Sequence, residues 1–290
     1  MHYDDIAYNE KNIFPGKVYN RPTGHNGTDV YPGVPKHYTG EDVNPENFLK
    51  VLAGDEGLKK AGKKVLESGP NDHVFVFFDD HGAPDIICFP HKALKAMDLL
   101  NILKQMHHDK KYAKLVVYIE ACFSGLMFYK ILPTDINIYA TTAAKPDEGS
   151  DWCYYDEDIN NHVGNTCSVN WMENTESATN DTTFQDQFDY IKLHTPNSTA
   201  QQYGDLSIAK LPISLFLGKF VFCLRKTPKP LSPINANIGN NFGSNRDAPL
   251  VLAQRSGDFE RYQQLVTGRQ FVDNMFSEYV NSIQHLMNAN

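Results

Sequence analysis

Cys122 and His81 are the two residues of this chain best suited to chemistry. A thiol becomes a working nucleophile when a neighbouring imidazole takes its proton and later returns one to a leaving amine. Each residue stands where an apolar run gives way to a loop. His73-Val74-Phe75-Val76-Phe77-Phe78 leads into Asp79-Asp80-His81-Gly82, and Leu115-Val116-Val117-Tyr118-Ile119 leads into Glu120-Ala121-Cys122-Phe123-Ser124-Gly125. Glycine follows His81 directly and Cys122 three residues later, so backbone can approach a substrate, and the N–H groups of Gly82 and Cys122 are suited to holding an oxyanion. The same pattern also fits a small apolar cysteine closing a strand and a histidine bonded within a turn.

The elements that must position this pair follow from the apolar pattern. Continuous runs rich in Val, Ile and aromatic residues are the mark of strands buried on both faces. Between them, from about His91 to His107, the residues Leu94, Met97, Leu100, Leu103 and Met106 recur at helical spacing. A β-α-β unit over residues 74–122 results, and its right-handed crossover sends both strand ends to the same sheet edge, where open α/β sheets bind ligands. A third strand, Ile136-Asn137-Ile138-Tyr139-Ala140, adds the loop Thr141-Thr142-Ala143-Ala144 to that edge.

The rest of the chain is less regular. Residues 1–50 read as turns around short extended pieces such as Gly16-Lys17-Val18-Tyr19, until Asn44 caps a helix with Pro45 at its first position. Residues 145–205 read as polar loop apart from a helix near Phe184–Lys192. Pro228, Pro230 and Pro233 mark a linker over 227–257, and beyond it the spacing of Phe259, Tyr262, Val266, Met275, Tyr279 and Ile283 predicts a helix. Asn26, Asn180 and Asn197 each begin an N-glycosylation sequon.

Composition narrows the function classes. The 290 residues are 41% hydrophobic and 21% charged, the balance of a packed globular chain. A formal charge of -8 provides no basic field for nucleic acid or an anionic membrane surface. No run reaches the roughly 18 apolar residues of a membrane span, and no apolar signal region follows Met1. The five cysteines show no C-x-x-C pair and the histidines no H-E-x-x-H, so no metal and no cofactor is expected.

Asp80-His81-Gly82 and Glu120-Ala121-Cys122-x-Ser124-Gly125 resemble the paired catalytic motifs of the legumain family, asparaginyl endopeptidases of the caspase-like clan of cysteine proteases. The likeness extends in order through Tyr3-Asp4-Asp5-Ile6-Ala7-Tyr8, Asn26-Gly27-Thr28-Asp29-Val30-Tyr31, Tyr38-Thr39-Gly40-Glu41-Asp42-Val43, Cys153-Tyr154-Tyr155-Asp156-Glu157 and Ser168-Val169-Asn170-Trp171-Met172-Glu173. It covers residues 3–225 strongly. The resemblance implies an α/β fold, a caspase-like three-layer α/β/α sandwich with a mainly parallel sheet. It implies His81 as general base and acid, Cys122 as nucleophile, and Gly82 with Cys122 as the oxyanion hole. Glu120 would line the S1 pocket, Gly149 and Ser150 a substrate-facing loop, and Asp80 would tune His81. It further implies peptide and protein substrates, protein protease inhibitors as partners, and a lysosomal, vacuolar or secreted location.

The departures shape further expectations. The family has an Asp where this chain has Asn165, so a second pocket carboxylate is expected to be lost and recognition of Asn at P1 weakened or altered. Phe123 replaces a Glu common after the nucleophile. Family members carry a signal peptide and an apolar strand ahead of the position of Met1, so the sheet is expected to lack its first strand. The domains expected are a truncated peptidase over 1–226, the linker over 227–257, and the start of a helical prodomain over 258–290. Asn235, Asn237, Asn240, Asn241 and Asn245 lie in the linker, where an Asn-directed protease would process itself. A homologue that binds peptides or inhibitors without turnover is the alternative reading.

Overall fold

Helix α1 (Pro45–Ala53) forms where the Asn44-Pro45 signal places it: the Asn44 side chain accepts from the Asn47 N–H at 2.8 Å, and Gly54, at φ 70°, ends the helix in the left-handed region. A short helix α2 (Glu56–Lys60) follows. The computed structural model describes residues 1–3, 6–10, 12–22, 27–218, 243–244, 260 and 263. The chain groups into two units, Met1–Asn245 and Arg246–Asn290; in the second only the helical residues Glu260 and Gln263 are described. The expected linker and C-terminal helix thus lie almost wholly outside the described residues, as do Asn26 and the candidate processing residues Asn235, Asn237, Asn240, Asn241 and Asn245.

The apolar runs become β1 (His73–Asp79) and β5 (Lys114–Glu120), paired in parallel with His73 opposite Lys114 and Asp79 opposite Glu120. Between them lie a small antiparallel sheet of β2 (Gly82–Ala83), β3 (Ile86–Cys88) and β4 (Ala93–Lys95), and then helix α3 (Ala96–His108). The helix expected from His91 therefore starts five residues later, because Ala93–Lys95 is drawn into strand pairing, with Leu94 opposite Ile87. Strand β6 (Ile138–Thr142) pairs in parallel with β5.

The stretch expected to be mostly loop holds more structure than its polarity suggested. It contains the hairpin β7 (Asp151–Asp156) and β8 (Asn161–Asn165), helix α4 (Thr166–Ser177), helix α5 (Phe184–His194) and strand β9 (Gln201–Gly204). Strand β9 adds antiparallel to β6, giving the sheet order β1-β5-β6-β9 with β1 at an edge. The Thr183 hydroxyl and the Asp186 carboxylate form a capping box that starts α5. A short helix α6 (Ser214–Leu217) and strand β10 (Gly243–Ser244) complete the description, and β10 pairs antiparallel with β7 at Asp151 and Trp152.

Strand alternation sorts the side chains into two cores. Leu115, Val117 and Ile119 face α1 and α3, while Val116 and Tyr118 face α4 and α5. The result is the three-layer α/β/α sandwich with a mainly parallel sheet. No helix among the described residues is long and apolar enough to cross a membrane.

Candidate active site

Both strands that lead into the chemistry end at the same edge, as parallel pairing requires. The contact between their ends is close: a β-carbon on Gly82 would lie 2.3 Å from the Cys122 carbonyl oxygen and 2.9 Å from the Ala121 β-carbon, so only glycine fits there. Cys122 is 1% exposed and follows directly on the fully buried strand end. Its Sγ receives the Ser150 backbone N–H at 3.4 Å and lies 3.9 Å from the Ser150 carbonyl oxygen and hydroxyl. Phe123, at φ 57°, turns the chain away from the strand; its N–H donates to the Glu148 carbonyl at 2.8 Å. The Cys122 N–H itself makes no hydrogen bond among the described residues and is available to an oxyanion.

His81 is exposed and precedes the glycine that packs against the Cys122 carbonyl. Its backbone is fixed on both sides: its N–H donates to Asp80 Oδ1 at 2.6 Å, and its carbonyl accepts from the Cys88 N–H at 2.8 Å. No hydrogen bond joins its ring to the Cys122 thiol among the described residues.

Glu120 is 1% exposed and, by the two-residue period of β5, shares the Val116 and Tyr118 face. There it meets the start of α4. Its Oε2 accepts both the Ser168 backbone N–H and hydroxyl at 2.9 Å, capping the helix in place of Asn165, whose side chain makes no capping bond. Glu120 Oε1 is buried with no hydrogen-bond partner at bonding distance among the described residues. Asp79 stands directly opposite in register on the same face. The Asn165 amide donates to Asp79 Oδ1 at 2.7 Å. Asp79 is exposed to solvent at the end of its strand.

These neighbours alter their titration together. Burial, then the Asp79 charge, pushes the Glu120 carboxyl upward against the pull of Ser168 and, more weakly, Ser150. Burial also raises Asp79, with the Asn165 bond opposing it and the Asp80 charge adding to it; contact with solvent moderates that rise. Burial likewise pushes Asp151 up to about 6, against the pull of Asn197. The thiols of Cys153 and Cys167 are raised by burial, which leaves them protonated and inert. Both are free, as are Cys88 and Cys122.

Among the expected site residues, His81, Gly82, Asp80, Cys122 and Ser150 meet at one edge, and Glu120 with Asn165 forms a second group at the start of α4. Gly149, half-buried, precedes Ser150 and lies between it and the Glu148 carbonyl that anchors Phe123. Asp79 was not among the expected residues. Its signal was present in the alternation of β1, which places Phe75, Phe77 and Asp79 on one face. Of the sequons, Asn180 is exposed on a loop, while Asn197 bonds Asp151 and its neighbours Ser198 and Thr199 hold the Ala143 carbonyl and Glu148 beside the site. No group of three metal-ligating side chains occurs among the described residues.

Comparison with known proteins identifies relatives along most of the chain. Residues 1–219 match the model of the Peptidase C13 family. Legumain from Rattus norvegicus is 53% identical over 222 residues, 75% of this chain and 50% of the rat protein. Legumain from Homo sapiens is 46% identical over 275 residues, 91% of this chain and 61% of the human protein. Hemoglobinase from Schistosoma japonicum is 46% identical over 218 residues, 74% of this chain and 50% of that protein. This chain thus spans about half to three-fifths of the length of these relatives. A family match over well more than half of the chain, together with a cysteine and a histidine brought to one sheet edge, means that the chain belongs to the Peptidase C13 family.

Proposed function

We propose that this chain is a cysteine endopeptidase that hydrolyses peptide bonds on the carboxyl side of Asn. The supporting observation is the pairing of Gly82 against the Cys122 carbonyl, which brings the histidine loop and an unbonded Cys122 N–H to the end of one buried strand pair. In this reading the His81 imidazole accepts the Cys122 thiol proton and the thiolate attacks the scissile carbonyl carbon. The negative oxygen of the tetrahedral intermediate is held by the N–H groups of Gly82 and Cys122. Collapse breaks the C–N bond, and the imidazolium gives its proton to the departing amine. A water molecule, losing a proton to His81, then attacks the thioester and releases the acid, and the proton returns to the Cys122 sulfur.

The P1 side chain enters between Glu120, Asp79 and Asn165. A carboxamide presents one N–H₂ donor and one carbonyl acceptor, and Glu120 Oε1 is a buried acceptor in want of a donor. The same pocket admits a P1 Asp only when that carboxyl is protonated, which limits cleavage after Asp to acid conditions. Peptide and protein substrates, regulation by protein inhibitors, and an acidic lysosomal, vacuolar or secreted setting belong to this reading.

The experiment is hydrolysis of tripeptide coumarin amides ending in Asn, Asp or Ala, at acid and neutral pH. Cleavage after Asn that disappears in Cys122→Ala and His81→Ala is expected. Folded protein that leaves all three peptides intact overturns the reading.

A further inference from the structure

Position 165, where the family resemblance leads one to expect a carboxylate, holds an amide, and that amide donates at 2.7 Å to the carboxylate of Asp79. The negative group is therefore present one hydrogen bond away, supplied by a different strand. Parallel register places Asp79 beside Glu120 on the face toward α4, whose first turn donates the Ser168 N–H to Glu120. Glu120, 1% exposed, keeps Oε1 without a partner at bonding distance among the described residues, while its Oε2 is consumed by Ser168. An unsatisfied buried acceptor next to a second carboxylate that is itself exposed to solvent is a site suited to a polar group arriving from outside.

We propose that Asp79 is a specificity-determining residue of the P1 pocket, reading the substrate side-chain amide together with Glu120 and taking the place of the carboxylate that Asn165 lacks. This deepens the function proposed above and rests on it. Two carboxyl groups side by side cannot both ionise cheaply, so the pair retains one proton. One O–H donor and the adjacent free acceptors then match the carbonyl oxygen and N–H₂ of an Asn side chain. An ionised P1 Asp lacks the donor and adds a third negative charge. Asn165 orients Asp79 through its N–H₂ group and leaves its own carbonyl oxygen as a further acceptor.

The test uses the full chain with three variants: Asp79→Asn, Asn165→Asp, and the exchange that combines them. Hydrolysis of tripeptide coumarin amides ending in Asn is the first readout. In the Cys122→Ala background, calorimetric binding of the corresponding Asn and Asp tripeptide amides is the second. Asp79→Asn is expected to lower kcat/KM for the Asn peptide by about 10- to 100-fold, the effect of losing a charged hydrogen-bond partner. The exchange variant should recover most of that loss, because it restores one carboxylate and one amide at the same pair of positions. Recovery also separates pocket chemistry from a folding defect in the single variant.

An Asp79→Asn protein that cleaves and binds the Asn peptide within about twofold of the parent overturns the proposal, given that even a modest hydrogen bond is worth more than that. So does a folded exchange variant that stays as weak as Asp79→Asn. A parent that binds the Asn peptide in the Cys122→Ala background without any turnover in the parent form overturns the peptidase reading alone; loss of that binding in Asp79→Asn still supports the pocket assignment. A parent that neither cleaves nor binds overturns both.

Discussion

The backbone N–H of Ser150 points at the Cys122 sulfur from 3.4 Å, so the residue just before the β7 hairpin also contacts the proposed nucleophile. A donor in that position is compatible with a thiolate and stabilises negative charge as it forms on sulfur. It also couples the β7–β8 hairpin to the end of β5, two segments separated in the sequence by strand β6 and its flanking turns. Cys122 is thus held by Ser150 from outside, while the Glu148 carbonyl anchors the next residue, Phe123.

Removing the sulfur tests its role directly. Cys122→Ala should reduce kcat on the Asn peptide by at least about 1,000-fold, the scale on which loss of a nucleophile is felt. Circular dichroism should report an unchanged fold, since Ala fills the same strand end with loss of one small group. Residual turnover near the parent level would show that another residue is the nucleophile.

Gly82→Ala acts on the oxyanion site through packing. Its new β-carbon would stand 2.3 Å from the Cys122 carbonyl oxygen, so the two strand ends must separate. Overpacking of this kind costs about 1–3 kcal/mol of stability. Displacing one oxyanion donor costs about 100- to 1,000-fold in kcat. Urea unfolding and steady-state kinetics together distinguish this outcome from simple misfolding, which would scale kcat with the folded fraction.

Stability should fall as pH rises from acid to neutral. Glu120 and Asp79 hold their protons more tightly when folded than when unfolded, and Asp151 does the same with a value of about 6. The folded state therefore binds more protons above the ordinary carboxyl range, and the linkage slope is negative from about pH 4.5 upward. The groups facing Glu120 and Asp79 are Asp80, Ser168, Ser150 and Asn165, together with the protonated thiols of Cys153 and Cys167. Melting temperature measured across this range should decline for the parent and decline less for Glu120→Gln. A melting temperature that rises toward neutral pH in the parent would contradict the assignment.

Thr183→Ala removes one half of the capping box on α5, in which the Thr183 hydroxyl accepts from the Asp186 N–H at 3.1 Å. A loss of about 1 kcal/mol is expected by urea denaturation, the usual worth of such a cap. Activity per folded molecule should be unchanged, because, among the described residues, neither Thr183 nor Asp186 touches a residue of the candidate site.

The elements read correctly from sequence are those in which hydrophobicity alone carries the signal. Both β1 and β5 appear as unbroken apolar runs, but only β5 is buried on both faces; β1, at the sheet edge, is buried at Val74 and half-buried from Phe75 to Phe78, and the shared end of the pair still places His81 near Cys122. Helix α3 was read with its start too early because Leu94 satisfies the helical spacing while its backbone pairs with Ile87. Helix α4 escaped notice for a different reason. It buries Thr166, Ser168 and Asn170, polar residues whose groups are answered inside the fold: Ser168 by Glu120, and Asn170 by the His194 carbonyl and Thr195 hydroxyl. No hydropathy pattern marks a helix of that kind. Asp79 was passed over since an acid at a strand end reads as the beginning of a loop, although the strand's alternation already assigned it a face.

The in-register pairing of β1 with β5 also bears on how such a gene can vary. Any one of the seven residues of β1 can be exchanged at a cost confined to its own neighbourhood, but none can be deleted. Losing one would slide every later side chain to the opposite face, turning Asp79 toward α3 and an aromatic ring toward Glu120. Insertions and deletions among descendants of this sequence should therefore collect in the loops before His73 and after Lys110, while the span between keeps its length even where its letters drift.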